Sequence, residues 1–318
     1  MSRIRAAVVG AGHLGRYHAQ KYSVLDDAVL AAVCDLRADV GKAIAAAHDT
    51  QFYRDYRDLI GKVDAVTIAA TTSAHFEIAR FFLEHGIHVL VEKPMTSSSR
   101  EGIILTELAE SRGVKLQVGH VERFNPALVS ARERLGRARF IECHRLAPFK
   151  GRGDDVNVVL DLMIHDLDVI LSLMEGEPTE ISAVGIPVLT SSVDIANARI
   201  EFDTGSIANV TASRVSTSTQ RKFRVFQKNQ YLSIDFGAGE VQLVTHMGDG
   251  EDHPKLREEH WSLEKGDALL AETRAFIHSI RDDRPCQVSG RDGVAALELA
   301  ERIIEDIERR GAEGSTAL

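Results

Sequence analysis

The sequence is poor in the features that would staple a fold, anchor it in a lipid bilayer or coat it on nucleic acid. It has only three cysteines in 318 residues, Cys34, Cys143 and Cys286. They are widely spaced and form no CxxC or metal-ligand pattern, so they read as reduced thiols of a reducing compartment, and no metal is expected. No apolar run approaches the length needed to cross a membrane. The run at 6–9, behind one or two basic residues, is too short for the core of a signal peptide. A cytoplasmic protein is therefore expected. A net charge of −9 argues against a nucleic-acid surface, which needs clustered Lys and Arg. It leaves room for a local anion site. There is no internal repeat and no low-complexity linker.

What is present is ordinary globular composition and enough length for two domains. In the first third, short apolar runs at 6–9, 29–34, 65–70, 87–91 and 116–118 alternate with helix-like patterns around 14–24, 38–47, 75–84 and 100–111. Unalternated β-rich runs between helices predict a parallel sheet covered on both faces, hence a doubly wound α/β domain over 1–121. After residue 121 the rhythm changes. Residues 124–135 read as helix, 138–149 as strand and 158–171 as helix. A series of alternating strands follows, with a hairpin at Asp203-Thr204-Gly205. Ala196, Ala198, Ile200 and Phe202 share one face of that hairpin; Ile195, Asn197, Arg199 and Glu201 share the other. The second domain, 122–318, is expected to be α+β, an open, mainly antiparallel sheet with helices on one face and solvent or a second subunit on the other. Segments 267–281 and 292–309 read as helices that pack back towards the first domain.

Gly10-Ala11-Gly12-His13-Leu14-Gly15 is a GxGxxG pattern that follows a strand and opens a helix, and Asp35 closes the next strand about 20 residues on. That context points to a dinucleotide, its pyrophosphate at the helix N-terminus and its ribose hydroxyls on Asp35, beside Leu36. A carboxylate there repels a 2′-phosphate, which favours NAD over NADP, though Arg37 softens the repulsion. Thr71, Thr72 and His75 follow the next strand and line the same crevice; Thr71 or Ser73 could equally cap the helix. The following strand ends Val91-Glu92-Lys93-Pro94. Glu92 and Lys93 are both expected at the cofactor; Lys93, held extended before a proline, sits beside the expected nicotinamide, where it could stabilise charge developing on a reacting oxygen.

With GAGHLG, Asp35, TTSAH and VEKP in this order and spacing, the chain resembles the glucose–fructose oxidoreductase / inositol dehydrogenase / MocA family over nearly its whole length. The resemblance implies a Rossmann domain, a second domain whose open sheet often forms a homodimer or homotetramer interface, and a catalytic set that matches Lys93, Asp161 and His165. The chain departs from many members at Ser73, where they have Asn, and at Met163, where they have Gly. On an α-helix, Asp161, His165 and Asp168 form one stripe, with Asp166 outside it. Such a stripe suits either a satisfied buried network or a proton-transfer face; Lys93 and the Rossmann context favour the latter, with His165 as general base.

Two further stretches bear on substrate. The segment GHVERFNPA leaves the last parallel strand, so Arg123 and Asn125 are expected at the substrate. Lys150 and Arg152 lie among glycines just before the helix and suit a phosphate or carboxylate; for Lys150 a solvated basic loop is an equal reading. These motifs look most like those of family members that oxidise the C3 hydroxyl of UDP-N-acetylglucosamine to a ketone, which an aminotransferase then converts to an amine for lipid A-type glycolipids. Inositol or free-sugar oxidation is the alternative. A non-catalytic NAD-binding sensor or corepressor is the reading of another class.

Overall fold

The computed structural model describes residues 3–149, 157–249, 253–264 and 266–315. They divide into two units. One comprises residues up to 121 together with 267–295; the other comprises 122–266 with 296 onwards.

In the first unit six parallel strands, β1 (Ile4–Val9), β2 (Ala28–Cys34), β3 (Gln51–Tyr53), β4 (Ala65–Ile68), β5 (His88–Glu92) and β6 (Leu116–Gly119), stand in the order 3-2-1-4-5-6. The sheet carries α1 (His13–Ser23), α2 (Ala38–Ala47), α3 (Thr72–Glu84) and α4 (Ser99–Arg112). The strand order reverses between β1 and β4, and a ligand crevice opens there beyond the carboxyl ends. All four residues of β4 are buried, as a strand covered on both faces requires. The local chemistry is consistent with these limits. Ser98 accepts the Glu101 backbone N–H at the start of α4, and Gly113 ends it in the left-handed region at φ +65°, the usual pairing of a hydroxyl cap and a glycine stop. Strand β3 is the one sequence reading missed; it is three residues long with none fully buried, too short for periodicity to show.

In the second unit eight strands form one sheet. They are β7 (Ala138–Leu146), β8 (Pro178–Ile186), β9 (Ile195–Phe202), β10 (Ile207–Ser213), β11 (Gln220–Gln227), β12 (Gln230–Asp235), β13 (Glu240–Asp249) and β14 (Pro254–Ser262), ordered 14-13-12-11-7-10-9-8. Only the β7–β10 pair is parallel; the others run antiparallel. Asp203-Thr204-Gly205 turns the β9–β10 hairpin with Gly205 at φ +73°. Ala196, Ala198, Ile200 and Phe202 are buried as predicted, while Asn197 and Arg199 are exposed. Over the buried face lie α5 (Pro126–Ala131) and α6 (Ile164–Leu173). The remaining helices are α7 (Ala268–Arg281) and α8 (Gly290–Ser315); Leu299, Ala300, Ile303 and Ile307 of α8 join the core of this sheet.

Candidate functional site

The glycines of the first βα turn do separate jobs. Gly10 has φ +93°, and a Cβ on it would stand 2.6 Å from the Ala69 carbonyl oxygen. A Cβ on Gly15 would stand 1.8 Å from the Gly10 carbonyl oxygen, so only glycine lets α1 close down on the turn. Gly12 is different: a Cβ there would meet nothing nearer than the Arg37 guanidinium, at 3.9 Å. The space before the N-terminus of α1, where backbone N–H groups lack helical partners, is thus open to a pyrophosphate.

Asp35 anchors the other end of this cradle. Its carboxylate accepts the Ala11 N–H at 2.7 Å and the Arg37 N–H at 2.8 Å, and it meets the Arg37 side chain at 3.3 Å. Burial works against the charge, but these hydrogen bonds win and hold the carboxyl below its ordinary range. A cavity of about 750 Å³ spreads from Gly10 and Gly12 past Asp35, Arg37 and Tyr56 to Thr71. That is a nucleotide-sized space. Leu36 is 80% exposed beside it, and His13 and Leu14 are exposed on the first turn of α1. Thr71 occupies the N-cap position of α3 but makes no capping bond, and its hydroxyl lies 3.4 Å from that of Ser73. Thr72 is half-buried. His75 differs from expectation. It is buried, and its two ring nitrogens face the carbonyls of Pro94 (3.0 Å) and Ala70 (3.1 Å). It joins the ends of two strands rather than reaching outward, and burial pulls its ionisation down.

At the end of β5 the Lys93 side chain is half-buried, next to a cis Lys93–Pro94 peptide. Its backbone N–H donates to the Glu92 carboxylate at 3.3 Å. Glu92, expected at the cofactor, instead turns into the interior, where its carboxylate is buried and His18 Nε2 lies 2.7 Å from its Oε1.

In the second unit the helix bearing Asp161 is not α-helical throughout. Asn157 accepts the Val159 N–H at 2.9 Å, a π-helical turn runs over Val159–Met163, and α6 begins only at Ile164. In an α-helix four residues overshoot a full turn by about 40°. The wider i→i+5 turn takes up most of that overshoot, so Asp161 and His165 stand more nearly in line than an α-helix would put them. Both are half-buried, whereas Asp166 and Asp168 are 3% and 1% exposed. The Arg145 guanidinium of β7 grips Asp166 through Nε (2.9 Å) and Nη2 (2.8 Å) and reaches Glu122 through Nη1 (3.0 Å). Arg123 Nη1 donates to Asp168 Oδ1 at 3.3 Å. Asp166 and Asp168 of this helix are therefore deep and bonded to arginines, while Asp161 and His165 are half-open.

Arg123 and Asn125 are corrected in the same way. Arg123 is 6% exposed and spent on Asp168. Asn125 caps α5 by accepting the Ala127 N–H at 3.1 Å and donates to Glu122 at 3.1 Å. Arg123 thus braces the helix that carries Asp168, and Asn125 braces the start of α5. Lys150 and Arg152 lie outside the described residues. Sequence reasoning passed over Arg145, Glu122 and His18. A signal for His18 existed, since it falls on the buried Gly15–His18–Ala19–Tyr22 face of α1.

Comparison with known proteins agrees with this geometry. Residues 4–120 match the profile of an oxidoreductase family with an NAD-binding Rossmann fold, and residues 129–232 match the GFO/IDH/MocA C-terminal domain. The UDP-N-acetylglucosamine 3-dehydrogenase of Acidithiobacillus ferrooxidans is 38% identical over 311 residues, covering 97% of this chain and 98% of that protein. Its solved structure superposes with a TM-score of 0.91 over 97% of this chain and 99% of that one, at 37% identity. An inositol 2-dehydrogenase of Rhizobium meliloti is 24% identical over 326 residues, covering 96% and 98% of the two chains. With the glycine cradle, the strand-end aspartate and full-length likeness all in hand, the chain belongs to the GFO/IDH/MocA family of oxidoreductases.

Proposed function

We propose that this protein is an NAD-dependent dehydrogenase that oxidises the C3 hydroxyl of UDP-N-acetylglucosamine to a ketone. The observation that carries the reading is likeness at 38% identity over 97% of the chain to an enzyme of that name, with Asp161 and His165 half-open on one face of the helix. Gly10, Gly12 and Gly15 would admit the pyrophosphate and Asp35 the adenosine ribose. The carboxylate favours NAD over NADP by repelling a 2′-phosphate. When bound, NAD supplies the hydride acceptor.

The chain's own residues do the rest. His165 takes the proton of the sugar hydroxyl as general base, because imidazole titrates near neutral pH. Asp161 orients the ring and Lys93 stabilises the developing alkoxide. Lys150 and Arg152 are proposed to hold the diphosphate. The ketone is then a natural substrate for an aminotransferase, and a homodimer or homotetramer in the cytoplasm is the proposed working form.

The test incubates purified protein with NAD and a panel of UDP-sugars, inositols and free hexoses while following nicotinamide reduction. An aminotransferase and its amino donor are added to pull an uphill oxidation. Turnover confined to UDP-N-acetylglucosamine is expected. Preference for myo-inositol would overturn the substrate, and tight NAD binding without turnover of any sugar would point to a sensor. His165→Ala should lower kcat by about 10² or more with NAD affinity intact.

A further inference from the structure

Glu92 stands one residue before Lys93, yet its side chain is 7% exposed and turned into the Rossmann unit. There it meets His18 of α1 and lies near Glu272 of α7, both fully buried. The ligating atoms of the three side chains lie within 4.8 Å of one another. His18 Nε2 is 2.7 Å from Glu92 Oε1, while Glu92 Oε2 accepts the Lys93 N–H at 3.3 Å. Backbone packs directly behind, since a Cβ on Gly119 would stand 3.1 Å from Glu92 Oε2. The carboxylate is therefore held on three sides.

Two carboxylates this close and this dry disfavour each other's ionised form. The His18 contact favours the charged form of Glu92. We propose that His18 is a positioning residue for the active site: by donating to Glu92 it keeps that carboxylate ionised next to Glu272, and through Glu92 it keeps Lys93 charged and in place. The inference rests on the reading of Lys93 as the residue that stabilises the alkoxide.

The electrostatics run in the same direction. Burial works to raise Glu92, but the His18 hydrogen bond, His18 charge and Lys93 together hold it below the ordinary carboxylate range. The other titratable groups facing the cluster are Tyr22 of α1 and His75 of α3. Burial, helped by the nearby Glu272, pushes the Tyr22 hydroxyl up and keeps it neutral. Burial lowers His75, with Glu92 opposing. Neither replaces His18 as donor to Glu92. Three ligating atoms could also suggest a cation, but the 2.7 Å contact of His18 with Glu92 is a hydrogen bond, shared through a proton.

The test measures the ionisation of Lys93 without substrate, by competitive labelling of amines with acetic anhydride across pH and mass spectrometry of the Lys93 peptide. It also follows kcat/KM against pH with NAD and UDP-N-acetylglucosamine. His18→Ala should move the Lys93 labelling midpoint, and the alkaline limb of the rate profile, down by roughly one unit. The same substitution should lower kcat roughly tenfold at neutral pH with NAD affinity held within about twofold. Glu92→Gln should shift the midpoint the same way, and His18→Gln, which restores an N–H donor, should recover most of it. An unmoved Lys93 midpoint in His18→Ala would overturn the proposal, as would one equivalent of divalent metal in the purified protein that is lost with His18. If instead Lys93→Ala keeps full turnover and the alkaline limb, the fault lies in the reading of Lys93 itself.

Discussion

Replacing Arg145 with methionine should destabilise the second unit by an amount that depends steeply on pH. In the native protein this guanidinium makes three hydrogen bonds, two to Asp166 and one to Glu122, with all three side chains at most 7% exposed. Burial raises the Asp166 carboxyl and Arg145 pulls it back. Burial wins, so the carboxyl already stands above its ordinary value; without Arg145 the opposing pull is gone, and in the folded variant it should rise further. Its folded pKa is then the higher one, so the folded variant binds the extra proton and is favoured at low pH. It loses stability as pH climbs from the unfolded value towards the folded one. Wild-type Asp166 is itself raised, so the deficit relative to wild type comes from the further rise alone and grows with pH, towards the roughly 3–5 kcal/mol that breaking a buried pair costs. Urea unfolding at pH 5, 6.5 and 8, read by far-UV circular dichroism, measures it. A deficit equal at pH 5 and 8, or below about 1 kcal/mol at pH 8, would refute the reasoning. The triple variant Arg145→Met, Asp166→Leu, Glu122→Gln should recover most of the loss at every pH.

Three other outcomes follow from the same structure. Gly15→Ala places a Cβ where the Gly10 carbonyl stands, 1.8 Å away, and should abolish NAD binding in isothermal titration while leaving the second unit's unfolding transition in place. Asp35→Asn, which removes the charge proposed to face the ribose, should bring NADP affinity to within about tenfold of NAD; an unchanged preference would mean that discrimination lies elsewhere. Asp194, fully buried, accepts the backbone N–H groups of Val188, Leu189 and Thr190 and the Thr190 hydroxyl. Burial opposes its charge, but these donors bring its pKa down to about 2. Because the folded value is the lower one, its stability of roughly 2 kcal/mol is present above pH 4 and lost as pH falls towards 2. Asp194→Asn should cost about that much at pH 7 and almost nothing at the acid end, measured by unfolding at each pH.

The parallel sheet was legible because its strands are apolar on both faces and bounded by helices, so β1, β2, β4, β5 and β6 show as unbroken runs. The glycine turn and Asp35 were legible because their spacing is set by the ligand, not by packing. What escaped were the arginine pairs. Arg145 sits at a buried position of an alternating strand, where sequence shows only a charge in an apolar register. Its partners, Glu122 and Asp166, are 23 and 21 residues away, a distance at which pairing is decided by tertiary structure. Arg123 was misread for a related reason. A cation at a strand's carboxyl end reads as ligand-facing until a buried acceptor such as Asp168 is seen to claim it.

The π-helical turn is the part of the site least visible in sequence, and it carries a prediction of its own. Asp161 lies within Val159–Met163 and His165 just beyond it. A π-turn is in effect one residue inserted into an α-helix. Deleting Leu160, on the N-terminal side of Asp161, should let the helix revert to α-geometry from its start. Asp161 and His165 remain four residues apart after this deletion, but they return to an offset of about 40°, and Asp161 loses the backbone setting of the wide turn. Deleting Leu162 instead leaves them three residues apart, about 60° out of line on the other side. If the turn exists to bring the two side chains into register, both deletions should lower kcat by about 10² or more. NAD affinity should stay intact, because the cofactor cradle belongs to the other unit, and α6 should keep its buried grip on Arg145 and Arg123. A second substitution, His165→Ala, should then cost little more, since the partnership is already broken. Turnover within about threefold of wild type in either folded deletion variant would show that Asp161 and His165 do not depend on the turn.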